Sequence, residues 1–253
     1  MKKLRRFLLE KAINHHELKR LYITGKEAHH MINVLRLKVN DRVVLIDGKG
    51  WEALFKITEI KKKEVTLNFE KELPPLVLPT NLHVGVSILK KSPMDWMVEK
   101  LTELGVKKLT PLIMERTVVK LSEEKLSRHL RRWKTISRQS LKQCKLSFEM
   151  YIEPPIDLKD FLGQLSTRKN CAKLLLWEDE DNLKLAKLLI DKKNQLADKE
   201  IIIVIGPEGG ISKDELAILK ENDFLSVSLG PQILRAETAA ISAAAICSFI
   251  LST

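Results

Sequence analysis

Along the first 72 residues, apolar and polar positions alternate in short runs: Val43 and Leu45, Ala53 to Ile57, then Val65, Leu67 and Phe69. A period of two over so few residues predicts strands with one buried face. Asp47-Gly48 supplies a hairpin-turn signal between the first two runs. One helix is expected among the strands, from a Thr24/Glu27 capping box through AHHMINVLRL to about Leu35. The stretch LPPLVLPT, Leu73 to Thr80, carries three prolines and cannot be regular structure throughout. A domain boundary is expected there, giving a β-rich domain over 1–72, a linker over 73–80 and a second domain over 81–253.

Past the linker the pattern changes. LHVGVSIL, KLTPLIM, AKLLLWE, IIIVIG and FLSVSLG are short, nearly continuous apolar runs, the mark of strands covered on both faces. Helical patterns separate them. SPMDWMVEKLTELGV reads as a helix with Ser92 as its cap, Pro93 in its first turn and Gly105 at its end. Strands alternating with helices define an α/β domain. Between its second and third strands lies SEEKLSRHLRRWKTISRQSLKQCKL, a helix expected to be capped by Ser122 with Glu123 and Glu124 in its first turn. Leu126, Leu130, Trp133 and Ile136 fall on one face and Arg128, Arg131, Arg138, Lys142 and Lys145 on another.

Composition narrows the class. The chain has 253 residues, enough for one large domain or two ordinary ones. Its longest apolar run, Ala239 to Leu251, is interrupted by Ser242 and Ser248 and is too short to span a bilayer. The N-terminal MKKLRRFLLEKAINHH meets Glu10 and Lys11 too early for a secretory signal. Cys144, Cys171 and Cys247 are far apart and share no zinc spacing with the six histidines. No metal site is expected, and reduced thiols in the cytoplasm are. Net charge is +11. Lys and Arg outnumber Asp and Glu by 17 to 10 over residues 1–72 and by 9 to 2 over 120–146, whereas residues 147–253 carry 12 against 17. A polyanion partner held by the basic segments, with chemistry in the acidic half, fits that asymmetry.

The acidic half contains IIIVIGPEGGISKDE, Ile201 to Glu215. A buried strand runs into Gly206, Pro207, Glu208, Gly209 and Gly210, and a Ser212/Glu215 capping box opens a helix at once. The loop therefore lies at the carboxyl end of a strand, where open α/β sheets bind ligands. A bare turn is one reading. A ligand loop, in which glycines admit a molecule close to the backbone, is the other and is favoured by three glycines around Pro-Glu. Neither the Walker nor the dinucleotide spacing is present. Glu208 would repel a triphosphate and admit a neutral or cationic ligand. Further on, VSLGPQILRAETAAISAAAI presents Arg235 and Glu237 ahead of an alanine-rich helix.

IGPEGGIS followed by SLGPQILRAETAA resembles the C-terminal signature of the bacterial small-subunit ribosomal RNA uridine-N3 methyltransferases of the SPOUT superfamily. HHMINVLRL is similar to the family's H-x-x-x-V-L-R element on His30, Val34, Leu35 and Arg36. KLTELGVKKLTPLIMERTVV is similar to its K-x-x-E-L-G-V…P…E-R segment on Lys100, Glu103, Leu104, Gly105, Pro111, Glu115 and Arg116. The resemblance implies an N-terminal PUA-like β-barrel that binds RNA and a C-terminal α/β domain tied in a deep trefoil knot. It further implies a homodimer, S-adenosylmethionine as methyl donor, and a uridine of small-subunit ribosomal RNA, in the assembled 30S particle, as substrate.

By that resemblance the cofactor site comprises Leu176, Gly206, Pro207, Glu208, Gly209, Gly210, Leu229, Gly230, Leu234, Thr238 and Ala239. Arg235 is expected to stabilise charge on the base, with Glu237 or Glu208 orienting it or taking its proton. Arg5, Arg6, His30, Arg36, Arg128, Arg131, Arg138 and Lys142 are expected to face RNA. Trp96 and Trp133 are expected to pack, and Lys100, Glu103 and Arg116 to form a charged network beneath the site. One segment departs from the family: Lys142 to Leu146 reads KQCKL where the family reads E-Q-[SC]-G-R, so RNA contacts are expected to differ there. Two other readings are an RNA-binding or ribosome-assembly factor without activity, and a SPOUT methyltransferase for another RNA.

Overall fold

The computed structural model describes residues 4–9, 19–76, 78–118 and 122–252. Residues 10–16 of the N-terminal stretch, Val77 of the proline-rich segment, Val119 and the side chain of Glu123 lie outside these. The chain forms two compact units, Met1–Val77 with Leu141–Glu149, and Leu78–Ser140 with Met150–Thr253.

The first unit is a curled five-stranded sheet. In chain order it contains β1 (Arg5–Leu8), β2 (Arg20–Thr24), α1 (Gly25–His29), β3 (Arg42–Ile46), β4 (Glu52–Lys61) and β5 (Glu64–Leu73), and the strand order is β1-β3-β4-β5-β2. Among the described residues no ladder joins β1 to β2. Phe7, Val43, Leu45, Phe55, Ile57, Val65 and Leu67 pack with Met31 into its core. The β3–β4 connection is fixed by Asp47, whose Oδ1 accepts the N–H groups of Lys49 (2.7 Å) and Trp51 (3.0 Å). The expected helix starts and stops close to where the pattern puts it, but Thr24 makes no side-chain cap, and residues His30–Val34 wind as a π-helix. It ends on Arg36 at φ 50°, a left-handed backbone at a non-glycine residue.

Leu141–Glu149 is tied into this unit by a buried polar knot of side chains. Glu52 accepts from Arg6 (2.6 Å) and from the Ser147 hydroxyl (2.9 Å), and Arg6 also donates to the Leu146 carbonyl (3.0 Å). Gly50 N–H reaches the Ser147 carbonyl and Glu149 N–H the Gly48 carbonyl. A side chain at Gly50 would collide with the Phe148 ring at 2.5 Å.

The second unit is a parallel α/β sheet. Its elements are β6 (Asn81–Ser87), α2 (Lys91–Glu103), β7 (Lys108–Ile113), α3 (Glu123–Cys144, which continues into the first unit), β8 (Tyr151–Ile152), β9 (Ile156–Asp157), α4 (Leu158–Leu165), β10 (Cys171–Leu176), α5 (Leu185–Asp191), α6 (Lys193–Leu196), β11 (Glu200–Ile205), α7 (Lys213–Glu221), β12 (Leu225–Val227) and α8 (Ala236–Ser252). The order is β12-β10-β11-β6-β7-β8, with β9 also on β7. Every pairing is parallel.

The apolar runs are continuous because both faces are covered. On β11, Ile201, Ile203 and Ile205 enter the core under α2, α5 and α8, while Ile202 and Val204 enter the core under α4 and α7. Gly105 ends α2 at φ 74°, and the Val106 N–H to Leu101 carbonyl and Gly105 N–H to Thr102 carbonyl bonds complete a Schellman motif. Ser92 does not cap that helix, which begins at Lys91 without a side-chain cap. Alanines of α8 (Ala236, Ala240, Ala243, Ala244) let it lie close to the sheet.

Candidate active site

Three loops leave the carboxyl ends of β10, β11 and β12. Since β12 lies beyond β10 rather than beside β11, the chain crosses over at this point, and open α/β sheets form their ligand crevices at such crossovers. A cavity of about 260 Å³ opens there. The β11 loop turns tightly: Gly210 N–H donates to the Pro207 carbonyl (2.9 Å), closing a β-turn over Glu208 and Gly209. Gly210 has φ 74°, and a Cβ on it would lie 2.9 Å from Glu178 Oε1. At Gly206 a Cβ would strike Ile211 at 2.4 Å. The loop then enters α7 through the expected capping box, with Glu215 N–H on the Ser212 hydroxyl (3.3 Å) and Ser212 N–H on Glu215 Oε2 (3.2 Å).

Leu176, Gly206, Pro207, Glu208, Gly210, Leu229, Gly230, Leu234, Arg235 and Ala239 all line the cavity. Residues remote in sequence thus converge where the motifs place them. Two carboxylates, Glu178 and Glu208, face it with one guanidinium, Arg235. Lys90 lies 4.0 Å from Glu208. An apolar floor of Ile205, Val227 and Leu229 with an acidic edge suits a ligand that is part hydrocarbon and part cation. Trp177, Glu178, Gln232 and Ile233 also line it and were not among the expected residues. Each follows closely on a strand end already singled out, which is the signal that would have found them.

Other expected residues fall elsewhere. Gly209 and Thr238 do not line the cavity. The Gly209 carbonyl instead accepts from Arg116 Nη1 (3.1 Å). Glu237 is buried in the first turn of α8, its Oε2 has no hydrogen-bond partner, and it too is absent from the cavity wall. A carboxylate there meets the positive end of the helix dipole. Arg116 is not part of a network with Lys100 and Glu103: Lys100 bonds Glu99 and Glu103 on its own helix. Trp133 is buried, as expected, but Trp96 is exposed.

Of the residues expected to face RNA, Arg5, Arg36, Arg128, Arg131 and Arg138 are exposed. Arg6 is not: its side chain is 10% exposed and locked to Glu52. His30 packs its ring edgewise on Phe7, and Lys142 is ion-paired with Glu27. The KQCKL departure has a structural counterpart. Lys142 makes that ion pair and Lys145 adopts φ 65°, at the two positions where the resemblance leads one to expect Glu and Gly.

A second polar cluster occupies the amino-terminal half of the sheet, away from the strand ends that form the cavity. His83 Nε2 lies 2.7 Å from the Thr110 hydroxyl, which donates to Glu153, and Glu153 pairs with Lys108 (2.7 Å). On the other side His83 Nδ1 lies 3.6 Å from Glu200, which accepts two 2.6 Å bonds from Arg168. Burial pushes the His83 pKa down, and the contacts from His83 and Arg168 hold Glu200 at about 2.

Comparison with known proteins decides the family. Residues 77–248 match the RNA methyltransferase domain, and residues 23–70 match the RNA methyltransferase PUA domain. The chain belongs to the RNA methyltransferase family. Within it, ribosomal RNA small subunit methyltransferase E of Bacillus subtilis is 28% identical over 230 residues, covering 90% of this chain and 89% of the relative. The enzyme of the same name from Rickettsia conorii is 32% identical over 224 residues, covering 86% and 84%. The crystal structure of ribosomal RNA small subunit methyltransferase E from Neisseria gonorrhoeae, bound to S-adenosyl methionine, superposes with a TM-score of 0.82 at 26% identity and 96% coverage of both chains. This RNA methyltransferase thus shares fold and length with enzymes of one name. Among its described residues no helix is long and apolar enough to cross a membrane, and no group of three or more potential ligands is placed to hold a metal.

Proposed function

We propose that this protein transfers a methyl group from S-adenosylmethionine to ring nitrogen 3 of a uridine in small-subunit ribosomal RNA. The observation that carries the reading is the glycine-lined, acid-edged cavity with Arg235 at the carboxyl ends of β10, β11 and β12. When bound, S-adenosylmethionine supplies an electrophilic methyl group on a sulfonium cation. Gly206, Gly210, Leu229 and Gly230 would hold its adenosine against backbone, and Glu178 and Glu208 would face its positive charge.

The chain's own residues then have two tasks. Alignment is the first, because an in-line displacement gains most of its rate from positioning. Managing charge on uracil is the second. The imide nitrogen becomes a nucleophile only after losing its proton. Arg235 stabilises the negative charge that spreads to the flanking carbonyl oxygens. Glu208, which lines the cavity, is assigned to orient the base or take that proton. Glu237, expected to share that task, is buried in the first turn of α8 and does not line the cavity.

The same reading makes the β-rich segment 1–72 a PUA-like barrel that binds RNA, 73–80 a linker and 81–253 a knotted methyltransferase domain. It takes the assembled 30S particle in the cytoplasm as the substrate's setting. A homodimer accounts for the exposed Trp96, Ile190, Ile233 and Phe249 of the second unit. The crossover at β10 and the packing of α8 against α2 and β6 are what a knotted C-terminus would produce. Titrating S-adenosylmethionine into the protein tests the cofactor assignment. Saturable binding that is lost in Gly210→Val supports it; a wild-type protein that does not bind overturns it.

A further inference from the structure

Two β-turns, which follow the parallel strands β7 and β11 on either flank of β6, meet beside the cavity. One is the glycine-loop turn Pro207–Gly210. The other is Met114–Thr117, which follows β7. Thr117 N–H donates to the Met114 carbonyl (3.0 Å), Met114 N–H donates to the Thr117 hydroxyl (2.8 Å), and that hydroxyl lies 2.9 Å from Ser87 at the end of β6. The two central residues of this turn are Glu115 and Arg116: Arg116 reaches the other turn, and the Glu115 backbone is met by a side chain of α7.

Arg116 Nη1 donates to the Gly209 carbonyl. Its side chain lies along Gly209 so closely that a Cβ there would touch Arg116 Cβ at 3.4 Å, and Nη1 is 3.8 Å from where a Cβ on Gly210 would be. The Glu115 backbone N–H donates to Glu215 Oε1 at 2.8 Å. Glu215 is the capping-box residue of α7, and its other oxygen holds the Ser212 N–H. One buried carboxylate therefore satisfies two backbone donors, one from each loop. A helix cap needs only the second of these bonds. The first fixes the turn that aims Arg116.

We infer that Arg116 and Glu215 are positioning residues for the cofactor site, acting as one clamp: Glu215 docks the Met114–Thr117 turn, and Arg116 thereby holds the Pro207–Gly210 turn in its binding shape. The inference rests on the cofactor reading above. Neither residue lines the cavity, so both act through the backbone of Gly209 and Gly210. A flexible loop of three glycines would otherwise lose entropy each time it ordered around a ligand, and a preset turn binds more tightly for that reason.

The test uses the full-length protein and direct calorimetric titration with S-adenosylmethionine, alongside thermal unfolding of each variant. Arg116→Ala is expected to raise Kd roughly tenfold, the worth of one hydrogen bond from a charged donor, with little change in Tm. Glu215→Ala is expected to weaken binding comparably, and also to lower Tm because the cap is lost. Glu215→Gln keeps one acceptor and is expected to fall between. The double variant is expected to bind no more than about twofold worse than the weaker single, because the two act in series. Wild-type binding with an unchanged Kd in Arg116→Ala overturns the clamp, and so does a double variant whose losses multiply. Absence of binding by the wild type overturns the cofactor reading itself, a separable failure.

Discussion

Arg235 and Lys145 are single residues whose roles the backbone makes testable. Arg235 faces the cavity, and its assigned task is met only as charge develops on the base. Arg235→Ala is expected to lower kcat for methyl transfer by roughly 10²–10³ while cofactor Kd stays within about twofold. Single-turnover kinetics with a parallel titration would check it, and unchanged turnover would remove Arg235 from the mechanism. Lys145 holds φ 65°, a conformation that costs an L-residue about 1 kcal/mol relative to glycine. Lys145→Gly is expected to raise stability by about that amount in urea unfolding. Loss of stability would mean that the lysine side chain makes a compensating contact. The sequence alone marked both positions, one by its motif and one by its departure from a motif. The burial of Arg6 was invisible there, because its partners Glu52 and Leu146 are 46 and 140 residues away.

At the scale of elements, local pattern located the strands that are covered on both faces and the Ser212/Glu215 cap, because those signals are continuous in sequence. It missed β1, β2, β8 and β9. These are short, and β8 and β9 hold only two residues each on the β7 edge. Nor can sequence tell an α-helix from the π-helix at His30–Val34, since both present the same side chains. The Ser92 cap failed because the helix starts two residues earlier, at Lys91, with Lys90 in the cap position.

The strands β6, β7 and β11 also carry the buried His83 cluster, and it sets a pH dependence. The His83 pKa lies below its ordinary 6.5, so below about pH 6.5 the unfolded chain binds more protons than the folded one. Stability should therefore decline as pH falls below that point. Glu200 sits at about 2 against an ordinary 4.5, so its contribution is complete above 4.5 and is lost between 4.5 and 2. Urea midpoints measured from pH 8 to pH 3 should show both declines, with the upper one flattened in His83→Asn. A midpoint that holds level from 6.5 to 5 would contradict a His83 pKa lowered by burial.

For the whole molecule, charge asymmetry was the most useful coarse signal: basic segments for the polyanion and an acidic half for a cationic cofactor. The exposed Arg128 and Arg131 of α3 are the positions at which the proposed RNA contact is tested. Replacing both with Gln should weaken RNA binding and lower the slope of log K against log salt by roughly 2. An unchanged slope would leave α3 out of the interface. The pairing of Leu141–Glu149 with the N-terminal unit was legible at no local scale, because it depends on Ser147 and Leu146 meeting Glu52 and Arg6.

The most direct test of the central claim is transfer of labelled methyl from S-adenosylmethionine to small ribosomal subunits purified from cells lacking this protein, followed by nucleoside analysis. The account predicts label in 3-methyluridine of the small-subunit RNA, appearing roughly 10²–10³ times more slowly when Arg235→Ala replaces the wild type. Label in another nucleoside or another RNA, or no label from a protein that binds the cofactor, would contradict it.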